Sequence, residues 1–397
     1  MEGFTGFKSS RGSKGSKGSK SSRSSRRFKK QSSVMKPLEP LKPLEPVNPL
    51  KPLEPLHPIF PYIAKKTALL YSVLKVLVRL LRPLFFRSIR INRPDLLTLD
   101  GPLLISCNHP NSFLDAVLLD TLFEKPIWSL ARGDVFKNKF ITRLLTAVKI
   151  LPVYRVSEGV ENLSTNYETF DSCKMIFRKN GLVLIFSEGL CINEWHLRPL
   201  KKGTARLAIS SWKDGIPLSI LPVGINYNSF TNFGKEVTIN IGDPIGREQF
   251  SLTGNEGKNI QSFNELLTQR LQRLVFEIDP HDEETKTKLL ERPPSSFKKI
   301  ILAIPTLAGW LVHLPLYIPV RSLAVKKAWH TGHYDSVLAA LLFICYPFFL
   351  IIAAFIPVMI TGKSIAALPA LFIPLLGWCC LQYGAFGKRK TTERTAE

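Results

Sequence analysis

Two apolar runs, residues 337–360 and 364–386, limit most strongly what this chain can become. Each is long enough to cross about 30 Å of hydrocarbon. A backbone in lipid must satisfy its own hydrogen bonds, so such runs are expected to be transmembrane helices. Only Thr361-Gly362-Lys363 separates them, which suits a hairpin. Lys326 and Lys327 before the pair, with Lys388, Arg389 and Lys390 after it, place both ends of the hairpin on the cytoplasmic side. Residues 300–320 are also apolar but carry Pro305, Pro315 and Pro319 between basic flanks. A re-entrant or interfacial segment suits them at least as well as a clean span. The expected membrane region is therefore 293–390. His330, His333 and Asp335 stand just before the first run. Their spacing permits a metal pair, but a surface cluster at headgroup level fits better, and no metal is expected.

The opposite end is polar and basic. The chain has a net charge of +23, and Lys8, Arg11, Lys14, Lys17, Lys20, Arg23, Arg26, Arg27, Lys29 and Lys30 crowd its start. Residues 1–35 repeat Gly, Ser and Lys, a composition that cannot bury apolar area and is expected to be disordered. On a membrane chain such a tail tracks anionic headgroups rather than nucleic acid, and no nucleic-acid partner is expected. Proline falls at every third position from Pro37 to Pro58. That period matches polyproline II, so residues 36–58 read as a semi-rigid spacer. Residues 59–92 are apolar with Lys65, Lys66, Lys75, Arg79 and Arg82 interspersed. Those charges make a free span costly, and an amphipathic helix in the membrane interface is expected. Six cysteines show no paired metal spacing and no disulfide framework, which implies a reducing compartment. No apolar run follows the basic start closely enough for a secretory leader.

Between these ends, residues 93–292 alternate strand and helix patterns. Strands are expected near 103–107, 127–131, 149–154, 181–187, 218–226 and 236–242. Helices are expected near 113–123, 135–147, 160–179 and 203–213, with one or two polar-faced helices in 259–291. The alternation predicts an α/β fold, a sheet flanked by helices on both faces.

Chemistry concentrates where two of the strands end. Leu103-Leu104-Ile105-Ser106-Cys107 runs into Asn108-His109-Pro110-Asn111-Ser112-Phe113-Leu114-Asp115, and the strand at 181–187 runs into Ser187-Glu188-Gly189. Histidine is suited to take a hydroxyl proton near pH 7, and a carboxylate can fix its tautomer and stabilise the imidazolium. Three further blocks stand later in the chain: Leu151-Pro152-Val153-Tyr154-Arg155, Ile220-Leu221-Pro222-Val223 and Gly242-Asp243-Pro244-Ile245.

Taken in order, these blocks resemble the motifs of the glycerol-phosphate and lysophosphatidate acyltransferases, the PlsC-like family. The family pairs Asn-His with an Asp after four spacer residues, places an arginine after a strand, and continues with Phe-Pro-Glu-Gly and a strand proline. Here the His109–Asp115 spacer holds five residues, and Ser187 replaces the proline. The resemblance implies a glycerolipid-acyltransferase-type sheet and transfer of a fatty acyl group from a thioester to a hydroxyl of glycerol 3-phosphate or its 1-acyl product. The donor is acyl-CoA or an acyl carrier protein, and no cofactor is implied. His109 is the implied general base and Asp115 its orienting partner. Arg155, Glu188 and Gly189 are implied in acceptor binding, with Arg198, Lys201 and Lys202 as further phosphate candidates. Cys191 has no required role. Alternatives are a tafazzin-like transacylase and a non-catalytic lipid-binding scaffold. With the apolar runs and their basic flanks, the expected location is a multi-pass membrane protein with its catalytic domain and both termini cytoplasmic.

Overall fold

The computed structural model describes residues 59–136, 138–154 and 163–384. The basic tail, the proline repeat, Arg155 and the end of the second apolar run lie outside the described residues. In chain order the described elements are α1 (Ile59–Leu81), β1 (Phe86–Ile91), β2 (Leu103–Cys107), α2 (Ser112–Leu122), β3 (Ile127–Arg132) and α3 (Lys139–Ala147). Then follow β4 (Ile150–Val153), α4 (Leu163–Arg178), β5 (Leu182–Phe186), α5 (Lys202–Lys213), β6 (Ser219–Tyr227) and β7 (Lys235–Ile241). The helices α6 (Glu256–Gln272), α7 (Glu283–Leu290), α8 (Ser296–Ala328), α9 (Tyr334–Thr361) and α10 (Ile373–Tyr383) complete the described chain.

A seven-stranded sheet runs β1-β7-β6-β2-β5-β3-β4. From β6 to β4 every neighbouring pair is parallel, whereas β7 runs antiparallel to β6 and β1 runs parallel to β7. The central strands are apolar throughout because both faces of the sheet are covered. Side chains alternate between two cores, as the pleat requires. Leu104, Val183, Ile185 and Ile220 face one side with Phe263 and Trp212. Leu103, Ile105, Leu182, Leu184 and Leu221 face the other with Leu118 and Phe123. Pro222 lies within interior strand β6 rather than at a sheet edge, at the step where the β7 ladder begins.

The interface helix expected over 59–92 stops at Leu81, and residues 86–91 are instead the edge strand of the sheet. The α/β domain thus begins before residue 93. α1 is amphipathic in an inverted sense. Two of its basic side chains face the protein: Arg79 donates to the carbonyls of Thr121 and Phe123 at 2.9 and 2.7 Å, and Lys75 to that of Lys125 at 3.1 Å. Thr121 and Phe123 lie at the end of α2, where helix carbonyls lack partners from their own helix and cations are favoured. Leu69, Leu70, Val73, Val76 and Leu80 point outward.

Three C-terminal helical stretches, Ser296–Ala328, Tyr334–Thr361 and Ser364–Tyr383, are long and apolar enough to cross a membrane. Over 300–320, expected as a re-entrant or interfacial segment, α8 runs as one helix through Pro305, Pro315 and Pro319. Close packing on α10 supports it. A side chain at Gly309 would fall 2.5 Å from the Leu376 carbonyl oxygen, so only glycine allows this approach. The second expected run opens as a 3₁₀ stretch, Ser364–Phe372, before α10.

Candidate active site

Parallel pairing places the carboxyl ends of β5, β2 and β6 side by side, the position at which open α/β sheets mount their sites. Cys107 stands opposite Phe186 on one side and Val223 on the other. The His109 loop leaving β2 and the Glu188 loop leaving β5 are therefore neighbours. Asn108 fastens this loop to β6, with its amide donating to the Ile225 carbonyl at 3.0 Å and its oxygen accepting from Ile225 N at 2.8 Å.

His109 Nδ1 lies 2.9 Å from Asp115 Oδ2. The same oxygen accepts from Asn111 N at 2.8 Å, and Oδ1 accepts from the Tyr227 hydroxyl at 2.9 Å. Asp115 is wholly buried, and both of its oxygens are engaged by these partners. An acceptor at this distance suits the tautomer with its proton on Nδ1 and its lone pair on Nε2. The ring stacks on Phe186, with centroids 3.8 Å apart and planes at 14°.

Glu188 joins the loops. Its Oε2 accepts from His109 N at 2.8 Å and its Oε1 from Arg198 N at 2.9 Å. Burial pushes its carboxyl above the usual value, against the pull of those two backbone donors. Gly189 has φ +64°, a conformation in which a side chain is strained, and a Cβ there would also press on Lys201 Cγ at 2.9 Å. Ser187, where the family has proline, turns into the sheet and bonds the hydroxyls of Ser106 and Thr204 at 2.7 and 2.9 Å.

The remaining expected residues are dispersed. The Arg198 guanidinium is engaged by Glu194, and Arg198 and Lys202 line a wide groove between α5 and α6 together with Arg206. Lys201 lies against Gly189 with its side chain exposed. Arg155 lies outside the described residues. Cys191 Sγ accepts from Ser112 N at 2.9 Å, and burial pushes its thiol up to about 12, which leaves no thiolate for nucleophilic work. Among the described residues no His, Cys, Asp and Glu side chains cluster as a metal site.

Two contributors escape the motif reading. Tyr227 ends an apolar strand and carries no sequence mark of its contact with Asp115. Asp335, expected at headgroup level, is buried and paired with Lys235 and Asn111.

Part of the chain is similar to known proteins. Residues 88–226 match the family model described as Acyltransferase. Over 193 residues the chain is 23% identical to a 1-acyl-sn-glycerol-3-phosphate acyltransferase of Bacillus subtilis (strain 168), covering 48% of this chain and 90% of that protein. A solved structure, the 1-acyl-sn-glycerophosphate (LPA) acyltransferase PlsC from Thermotoga maritima, aligns with 54% of this chain and 80% of its own at 14% identity and a TM-score of 0.34. The family match falls on the strands and loops that carry His109, Asp115 and Glu188, and in residues 88–226 this chain is similar to acyltransferases.

Proposed function

We propose that the protein moves a fatty acyl group from a thioester to a hydroxyl of glycerol 3-phosphate or 1-acylglycerol 3-phosphate, with His109 as general base. The observation that carries this is the His109–Asp115 pair, 2.9 Å apart, which supports the tautomer with its lone pair on Nε2. The Nε2 lone pair takes the acceptor's hydroxyl proton as its oxygen attacks the thioester carbonyl. The tetrahedral intermediate collapses, the C–S bond breaks, and the imidazolium returns the proton to the leaving thiolate. Asp115 stabilises the imidazolium between these steps. No acyl-enzyme is needed, because a thiolate already leaves well. Arg155 supplies a guanidinium for the acceptor phosphate, with Lys201 as a second cation beside Gly189.

The reaction takes place at the membrane surface. The outward apolar row of α1 suits burial in the interface. α9 leaves from beside Lys235, and the end of α10 returns to β1, where Gln382 donates to the Arg87 carbonyl at 3.0 Å. Both ends of that excursion thus lie on the domain's side, which supports a hairpin entered and left from the cytoplasm. Lys298 of α8 also bonds Gln382, at 2.6 Å, which supports α8 lying along the domain rather than carrying it across.

Purified protein assayed with both acceptors and with acyl-CoA and acyl carrier protein tests the proposal. Acylation of either acceptor from a thioester supports it. Transfer from an intact phospholipid alone would replace it with a transacylase, and no transfer with any donor would leave the scaffold reading.

A further inference from the structure

The loop between His109 and Asp115 carries one residue more than the family pattern, and its conformation is not set locally. Asn111 occupies the N-cap of α2, a position at which an asparagine side chain ordinarily accepts from its own helix. Here it makes no such bond. Its amide instead donates to Asp335 Oδ2 at 2.6 Å, across 224 positions of sequence. The helix start is served by another residue of α9. The Ser336 hydroxyl donates to the Asn111 carbonyl at 3.0 Å and accepts from Leu114 N at 3.2 Å. Asp335 is balanced by the buried ammonium of Lys235. The next residue, Ser112 at the start of α2, has φ +52°, a strained conformation for a residue with a side chain. Something outside the loop must hold it.

We propose that Asp335 and Ser336, in the first turn of α9, are positioning residues for the His109–Asp115 pair, so that a membrane helix assembles the catalytic loop. The connection is short. Ser336 and Asp335 fix Asn111, Asn111 N fixes Asp115 Oδ2, and that oxygen fixes His109 Nδ1. Asn111, Asp115 and Ser336 are all fully enclosed, so no solvent replaces a lost bond. Beyond its first turns α9 carries an exposed apolar surface that includes Ile351 and Phe355. One helix therefore meets lipid with most of its length and the catalytic loop with its first turn.

The inference rests on the acyl-transfer reading and is tested on the full chain in lipid vesicles. Ser336→Ala should lower kcat on the order of 10²-fold, the scale of a misplaced reacting group, with KM for both substrates nearly unchanged. Ser336→Thr restores the hydroxyl and should recover most of the rate. Ile351→Ala, on the lipid face of the same helix, should behave as the unaltered protein. A second readout needs no turnover. Mass spectrometry should show His109 of Ser336→Ala modified severalfold faster by diethyl pyrocarbonate, because a loosened ring exposes both nitrogens. Unaltered kcat and modification rate in Ser336→Ala would overturn the inference, as would a threonine variant that regains thermal stability without regaining rate. If the unaltered protein transfers no acyl group, the proposed reaction fails, and the modification rate still decides the role of Ser336.

Discussion

The Tyr227 hydroxyl donates to Asp115 Oδ1 at 2.9 Å from the strand beyond β2, while the other carboxylate oxygen serves His109. Burial, and then the charge of Asp115, raises the Tyr227 phenol well above its usual range, so it stays a donor. Tyr227→Phe keeps the packing and leaves one oxygen of a buried carboxylate without its partner. We expect a loss of about 1–3 kcal/mol of stability, measured by denaturant titration, and a smaller rate loss than removal of His109.

His109→Ala should reduce acyl transfer by about 10²–10⁴-fold while leaving expression and membrane association intact. Asp115→Asn should also lose substantial rate, since the amide presents only one acceptor oxygen where the carboxylate meets the donors from His109, Asn111 and Tyr227. Turnover near that of the unaltered protein in His109→Ala would remove the base mechanism.

Glu188 gives a pH signature. Burial raises its carboxyl from the ordinary 4.5 in the folded protein, so the fold holds the proton more tightly than the unfolded chain does. Its contribution is fully present below 4.5 and declines as pH rises through the higher folded value. Glu188→Gln removes this titration and leaves one of the two backbone donors unmatched. The stability gap between the unaltered protein and Glu188→Gln should therefore be widest at acidic pH and narrow as pH rises. Thermal melts in one detergent across that range check it.

Arg155→Ala should raise KM for the phosphorylated acceptor more than KM for the thioester. Arg155→Lys should restore this only in part, because an ammonium lacks the planar fork that grips phosphate oxygens. Equal effects on both substrates would make Arg155 structural.

Cys191→Ser should keep turnover within about tenfold of the unaltered protein, because the buried thiol is not ionised near neutrality. Loss comparable to His109→Ala would reopen covalent catalysis.

Much of the sheet was legible because its central strands are short, uninterrupted apolar runs. Strands expected at 103–107 and 218–226 are found at Leu103–Cys107 and Ser219–Tyr227. β1 was hidden because an edge strand carries charge. Arg87 and Arg90 are neutralised or bonded by Glu236, Thr238 and the carbonyl of Leu290, partners that only the fold supplies. The same divide runs through the site. His109, Asp115 and Glu188 are readable because strand-end motifs keep fixed local spacing. The contributions of Tyr227, Asp335 and Ser336 depend on strand order and on where α9 begins, which no local pattern encodes.

The sheet order also carries a consequence for how the protein is made. Among the described residues β1 is the first strand to leave the ribosome, yet its one neighbour there is β7, the last strand of the sheet to emerge. The block from β2 to β5 can close early, because its pairings join segments already translated. β1 must wait with an open backbone edge, a state that invites pairing with other nascent chains. α1 immediately precedes it and presents an apolar row that lipid can cover. Early docking of α1 on a bilayer would hold the waiting strand at one surface, away from other copies, until translation delivers its partner.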